Sequence, residues 1–490
     1  MFIFAKTCVG RTSFTNSINN YNTDMKRTFL FALLATVAVT TAQAQQNKGS
    51  LTVDQVQRMA GALTPANKAI FNAMASNKID DLAQNFDNLG PVDTHFSIET
   101  PSQSIHDQKS SGRCWMFSGL NVLRANFAKQ HNDTLAVEFS HDYLFFYDQL
   151  EKANLMLQGA IETARLPMND PKVQFFFKSP INDGGTFCGV ADLAEKYGLV
   201  PMSIQRETFS ANNTSKMAQI LKSKLREFGI ELRQMVNGKK KAADIEKRKQ
   251  EQLTEVYRIL ALTLGEPVKS FTYAFADSKG KQKTEPKQYT PLEFYKATVG
   301  APINGTFVMV MNDPRNPYHK TYEVEYDRHT YDGHNWRYLN LPMDEIEQLA
   351  VASLKDGRKL YSSYDVGKQL DRKRGYLDLG NFDYESLFDT SFNMDKAQRI
   401  ATFDSGSTHA MTLTAVDLDA NGKPVKWKVE NSWGAANGFA GCFIMTDRWF
   451  REYMFRLVVD RKYVPENLLK EYEQQPVMLT PEDPLFASED

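Results

Sequence analysis

The chain is short of net charge, of cysteine and of long apolar runs, and each shortage removes a class of function. It carries 58 basic and 59 acidic residues, a formal charge of −1 over 490 residues. No global basic field exists to gather nucleic acid, and none is expected as a partner. Two basic runs, Lys239-Lys240-Lys241 and Lys247-Arg248-Lys249, alternate with Asp244, Glu246, Glu251 and Glu255. That mixture reads as a solvated helix face. The apolar stretch Phe29 to Val39 is too short to remain as a bilayer anchor. It reads instead as the middle of an export signal. Met25-Lys26-Arg27 supplies the basic start and Ala42-Gln43-Ala44 the small-residue cleavage site. Residues 1–24 read as an upstream extension, and the mature chain is expected to begin at Gln45. No cysteine follows the cleavage site, which argues against lipid attachment.

Export predicts a periplasmic or secreted protein in an oxidising compartment. Of the four cysteines, Cys114, Cys188 and Cys442 would survive processing. If Cys114 is reactive, the other two are expected to stay buried thiols, with pairing as the alternative.

What is present is ordinary in bulk and specific in detail. Hydrophobic content of 42% and charged content of 24% fit a globular protein. The length suits two or three domains, and no internal repeat is visible. The informative segment is Asp107-Gln108-Lys109-Ser110-Ser111-Gly112-Arg113-Cys114-Trp115-Met116-Phe117-Ser118. Cys114 opens an apolar stretch that reads as a helix, and a helix N-terminus stabilises a thiolate. Gln108 can donate its amide toward an oxyanion formed at that sulfur, with the Cys114 N–H as second donor.

A nucleophilic thiol needs a base, and the base needs an orienting group. Thr408-His409-Ala410-Met411-Thr412-Leu413 alternates apolar and hydroxyl residues, so it reads as a strand with His409 near its start. Asn431, in Val429-Glu430-Asn431-Ser432-Trp433-Gly434, can accept the ring N–H of His409, and Trp433 can cover that bond. His106 is nearer to Cys114 in sequence, but no orienting amide follows it.

These segments resemble the papain-type cysteine peptidases, and more closely their bleomycin hydrolase/aminopeptidase C branch. Asn312-Asp313-Pro314-Arg315-Asn316-Pro317-Tyr318 and Asp365-Val366-Gly367-Lys368 resemble that branch as well. Cys114 and His409 stand 295 positions apart, about twice the spacing of papain itself. Something large is therefore inserted between the two halves of the site. The resemblance implies an α+β papain-like fold: a helical part with the Cys helix, a β-barrel-like part with His409 and Asn431, and a large helical insertion. It implies no metal or organic cofactor.

Five regions are expected. Residues 1–44 are the extension and signal. Residues 45–201 are the N-terminal arm and helical half. Residues 202–304 are the insertion, with helices over Lys216 to Phe228 and Ala242 to Leu264. Residues 305–463 are the β-rich half, including a strand Tyr322 to Tyr326, and 464–490 are a C-terminal arm. In the resembled family the insertion builds oligomer contacts, and relatives form hexamers. There the arm enters the active-site cleft, so that the terminal carboxylate, here of Asp490, pairs with the free amine of a substrate. Gly184 and Gly185 resemble the paired glycines against which an extended substrate lies. With Trp433 and Asp490 they complete the candidate substrate-binding set. The expected activity is removal of N-terminal residues from peptides with a free amino end. An endopeptidase with a displaced arm, and an exported non-catalytic binding protein, are the alternatives.

Overall fold

The computed structural model describes residues 49–60 and 64–486. The expected export signal and Asp490 lie outside the described residues. The chain divides into two units, residues 1–79 and 80–490. Two helices of the first are described, α1 (Val53–Ala60) and α2 (Pro65–Met74). Thr64 and Asn67 form a capping box on α2, with Pro65 in its first turn.

Three helices of the second unit frame one side of a cleft: α3 (Cys114–Gln130), α4 (His141–Glu162) and α5 (Phe187–Tyr197). Twelve of the seventeen residues of α3 are buried, so this helix is enclosed on all sides rather than amphipathic. Ser140 caps α4, and Gly198 closes α5 at a positive φ of 83°.

The insertion folds as α6 (Ser215–Asn237) and α7 (Ala242–Leu264). The first is longer than its sequence pattern predicts. Leu232 and Arg233 prolong the buried stripe of Met217, Leu221, Leu225 and Phe228, and packing on α4 sustains the extra turns. These side chains share one core with Trp115 and Leu144, so the insertion is continuous with the helical half.

The other half is a twelve-stranded sheet. Its main strands are β1 (Phe307–Met311), β2 (Lys320–Val324), β3 (Arg337–Asn340), β4 (Leu360–Tyr364), β5 (His409–Leu418), β6 (Pro424–Glu430), β7 (Cys442–Thr446), β8 (Met454–Asp460) and β9 (Val477–Leu479). They lie in the order β9-β2-β3-β1-β8-β4-β5-β6-β7. Strand β2 ends before its predicted limit, because Tyr326 turns away at a φ of 66°. His409 starts β5 opposite Tyr364. Helix α3 is held on β5 by polar contacts inside the core: Asn121 Nδ2 donates to Thr412 Oγ1 (3.4 Å), and that hydroxyl donates to the Ser118 carbonyl (3.5 Å).

Candidate active site

Helix α3 places Cys114 at its first position, where the N-terminal end of the helix dipole favours an anion. The loop before it is bonded on every side. Ser111 Oγ donates to the Gln108 carbonyl (2.6 Å) and accepts from Arg113 Nε (3.0 Å). Gly112 N–H donates to Asp183 Oδ2 (2.6 Å). The Arg113 guanidinium is fully buried between the rings of Phe117 and Phe145 and makes two bonds to Glu207 (3.2 and 2.7 Å).

His409 and Asn431 meet at 2.8 Å, Nε2 against Oδ1. The Ser432 N–H donates to the same Oδ1 (2.7 Å), which identifies that atom as the amide oxygen. An acceptor there requires the proton on His409 Nε2 and leaves Nδ1 to exchange a proton with a thiol. Burial pushes the His409 imidazole down to about 4, the Asn431 bond opposes that, and the Arg372 charge adds to it. The Trp433 ring covers the imidazole, with centroids 4.7 Å apart, and the Arg372 guanidinium lies over Trp433 at 4.6 Å.

The thiol reaches this group across the interface of the halves: the Ala410 N–H donates to Cys114 Sγ at 3.4 Å. Sequence reading passed over this backbone donor, which follows from β5 starting at His409 beside the first turn of α3.

Gln108 is buried and joins both halves. Its Oε1 accepts from Ser432 Oγ (2.5 Å) and its Nε2 donates to the Ser111 carbonyl (2.5 Å). An amide nitrogen carries two hydrogens, so one donor remains to face the cleft. Its backbone N–H bonds to the Ser432 carbonyl (2.8 Å), and Asp107 pairs with Trp433 as a β-bridge. The donor and the Asn431 segment are thus zipped together. Glu430, just before Asn431, is fixed by Arg124 (2.7 Å) and Lys359 (3.0 Å) in a buried ion cluster.

Gln108, Gly112, Cys114, Gly184, Gly185 and His409 line one cleft of about 310 Å³. A Cβ at Gly185 would sit 2.1 Å from the buried His329 ring, so only glycine fits there. His329 is held by Asp148 (2.5 Å), and Lys152 donates to the Gly184 carbonyl (2.6 Å). The glycine wall therefore rests on a charged cluster that the sequence did not reveal.

An adjoining cavity of about 460 Å³ shares Gly184 and Gly185 with the cleft, and Pro481, Glu482 and Phe486 of the C-terminal arm help to wall it. Arg315, paired with Asp313 (2.9 Å), holds Asp483 at 2.6 Å. Leu485 is fully buried and Phe486 stacks near Arg456. The segment Asn312 to Tyr318, which the sequence marks only by family resemblance, thus contains the anchor of this arm. Likewise Asp365 accepts from Ser405 (2.7 Å) and steadies the approach to His409.

His106 is engaged elsewhere, 3.1 Å from Glu138. Cys188 and Cys442 are both free thiols, with burial pushing Cys442 up to about 11 and Cys188 well above its ordinary range. No helix among the described residues is long and apolar enough to cross a membrane.

The Peptidase C1-like family matches residues 50–486. The chain is 38% identical over 428 residues to Aminopeptidase C of Lactobacillus delbrueckii subsp. lactis, covering 86% of this chain and 94% of that one. It is 40% identical over 400 residues to bleomycin hydrolase of Homo sapiens, covering 80% and 87%. The crystal structure of PepW from Lactobacillus rhamnosis matches with a TM-score of 0.85 at 37% identity, covering 89% of this chain and 99% of that one. By its α+β architecture, its cleft and these relatives, the chain belongs to the Peptidase C1-like family of papain-like cysteine peptidases.

Proposed function

We propose that the protein is a cysteine aminopeptidase acting on peptides with a free N-terminus. In this reading the Cys114 thiolate attacks the carbonyl carbon of the first peptide bond. The oxyanion is held by the free N–H of Gln108 and the backbone N–H of Cys114. His409, protonated, gives its Nδ1 proton to the leaving amine, and a thioester remains on Cys114. Water then attacks the thioester, His409 takes its proton, and the amino acid leaves as the thiol is restored. Asn431 holds the imidazole in the working tautomer, and Trp433 keeps water from that bond.

The observation that carries this reading is the meeting of thiol, tautomer-fixed imidazole and amide donor in a cleft whose neighbouring cavity is walled by the chain's own C-terminal arm. An arm on the side of Gly184 and Gly185 leaves little space upstream of the scissile bond. Relatives named aminopeptidase C support the same activity. Free and N-acetylated forms of the same amino-acyl fluorogenic amides test it. Cleavage confined to the free forms, and lost in Cys114→Ala, is expected. Equal cleavage of both forms would make the enzyme an endopeptidase.

The same reading has the enzyme exported after loss of residues 1–44 and associated with copies of itself. The exposed apolar side chains Phe209, Leu262 and Phe403 support association. N-terminal sequencing of the exported protein and light scattering test the two statements.

A further inference from the structure

The insertion contributes a charged side chain to the cleft that no part of the chemistry above employs. Thr214, Ala218 and Lys222 fall on one face of α6 and the residue capping it, at a spacing of four. Thr214 Oγ1 donates to Asp183 Oδ2 (2.5 Å), so this face is turned to the segment Asp183-Gly184-Gly185. Ala218 and Lys222 accordingly line the same cleft as Cys114 and His409. Lys222 is half-buried and, among the described residues, has no carboxylate partner. Its neighbour Lys224, by contrast, pairs with Glu227 (2.8 Å). Asp183, the one carboxylate lining the cleft among the described residues, already accepts from Gly112 N–H and Thr214 Oγ1. A cation with room beside it, on the wall where the acyl part of a substrate would lie, is matched by an anion on the substrate.

We propose that Lys222 selects an acidic side chain on the substrate residue whose carbonyl Cys114 attacks, so that peptides beginning with Glu or Asp are preferred. The inference rests on the aminopeptidase reading, because that reading makes this residue the substrate's first. A half-buried ion pair of this kind gives up to about fivefold. Reversing the charge replaces attraction by repulsion and moves the preference by about tenfold or more.

The test compares kcat/KM for Glu and Gln amides of one fluorophore, which differ in charge but hardly in shape. The ratio within one preparation does not depend on how much protein is folded. Wild type is expected to favour Glu, Lys222→Arg to retain that preference, Lys222→Met to lose it, and Lys222→Glu to invert it. An unchanged Glu/Gln ratio in Lys222→Met and Lys222→Glu, with both amides still cleaved, would overturn the inference and leave the aminopeptidase reading standing. No cleavage of any free amino-acyl amide by wild type would remove that reading itself. The chain's own end, Ser488-Glu489-Asp490, offers the same carboxylate chemistry. A chain ending at Phe486 separates the two sources. If Lys222→Met alters the ratio only in the full-length protein, the lysine serves the tail and the substrate assignment falls.

Discussion

Replacing His409 with Gln should make the Cys114 thiolate sensitive to mild acid. Burial lowers the imidazole to about 4. With no neighbouring anion, charging it at pH 7 costs about 4 kcal/mol, and ionising an ordinary thiol at that pH costs about 2 kcal/mol more. Three contributions offset these costs. At the separation of about 4 Å usual for an ion pair, a thiolate and an imidazolium attract by roughly 4 kcal/mol at an effective dielectric of about 20. The Ala410 N–H on the sulfur adds about 1.5 kcal/mol as a bond to a charged group. The N-terminus of α3 adds about 0.5 kcal/mol. Costs and gains nearly cancel, so a sizeable share of the protein holds the ion pair, and that share does not vary with pH until the pair takes up a further proton.

The rate of Cys114 alkylation by a small haloacetamide, followed against pH, reads this directly. In wild type the rate should hold a plateau from neutrality down to about pH 5, since protonating the pair requires acid near the pKa of the lone imidazole. In His409→Gln only the helix end and the Ala410 N–H remain. Together those two contributions lower an ordinary thiol by about 1.5 units, so the thiolate should form near pH 7 and the rate should fall about tenfold for each unit below that. At pH 5.5 the two proteins should differ by about 15-fold. Superimposable profiles would refute the argument, because the sulfur would then owe nothing to the imidazole.

Asn431→Ala leaves the His409 Nε2–H and the Ser432 N–H buried without an acceptor. It should cost about 2 kcal/mol of stability by denaturant titration and lower kcat by about 100-fold as the tautomer is released. Gly185→Ala drives a Cβ to 2.1 Å from His329 and 2.9 Å from Trp115. With His329 pinned by Asp148, the clash should cost about 3 kcal/mol by the same measurement. Glu207→Ala strands the fully buried Arg113 charge. It should cost about 3 kcal/mol, and Glu207→Leu combined with Arg113→Met should recover part of it.

The catalytic candidates were legible because each stands in a short local pattern. Cys114 follows a glutamine at fixed spacing and opens a helix, His409 opens an alternating strand, and Asn431 precedes Ser-Trp-Gly. The supporting contacts left no such pattern. Ser432 orients the Gln108 amide across more than 300 residues, and Arg372 reaches Trp433 from a separate segment. The cluster of Asp148, Lys152 and His329 beneath Gly184 and Gly185 joins a helix to a loop far along the chain. Each partner alone looks like an ordinary polar residue. The fold was legible to the same degree. The apolar spacing of α7 marks both its ends, whereas α6 outran its pattern because tertiary packing prolonged it. Strand β2 stopped early at a turn that Tyr326 does not advertise.

The long interval between Cys114 and His409 bears on how the Cys114 thiol is held. Read as sequence, the insertion merely separates two halves of a site. In the structure its first residues brace the loop that carries the thiol. Ser110 N–H donates to the Asn212 carbonyl (3.0 Å), Thr214 N–H donates back to Ser110 (3.3 Å), and Glu207 neutralises Arg113 beneath Cys114. On the opposite side Ser432 and Trp433 clasp residues 107 and 108. The loop before Cys114 is thus gripped by the insertion on one flank and by the Asn431 segment on the other. Bonds of about 1 kcal/mol each suffice for this, because several close on one short loop and each limits the freedom the next must remove. A thiol fixed from two sides stays aligned with β5 without a disulfide near it.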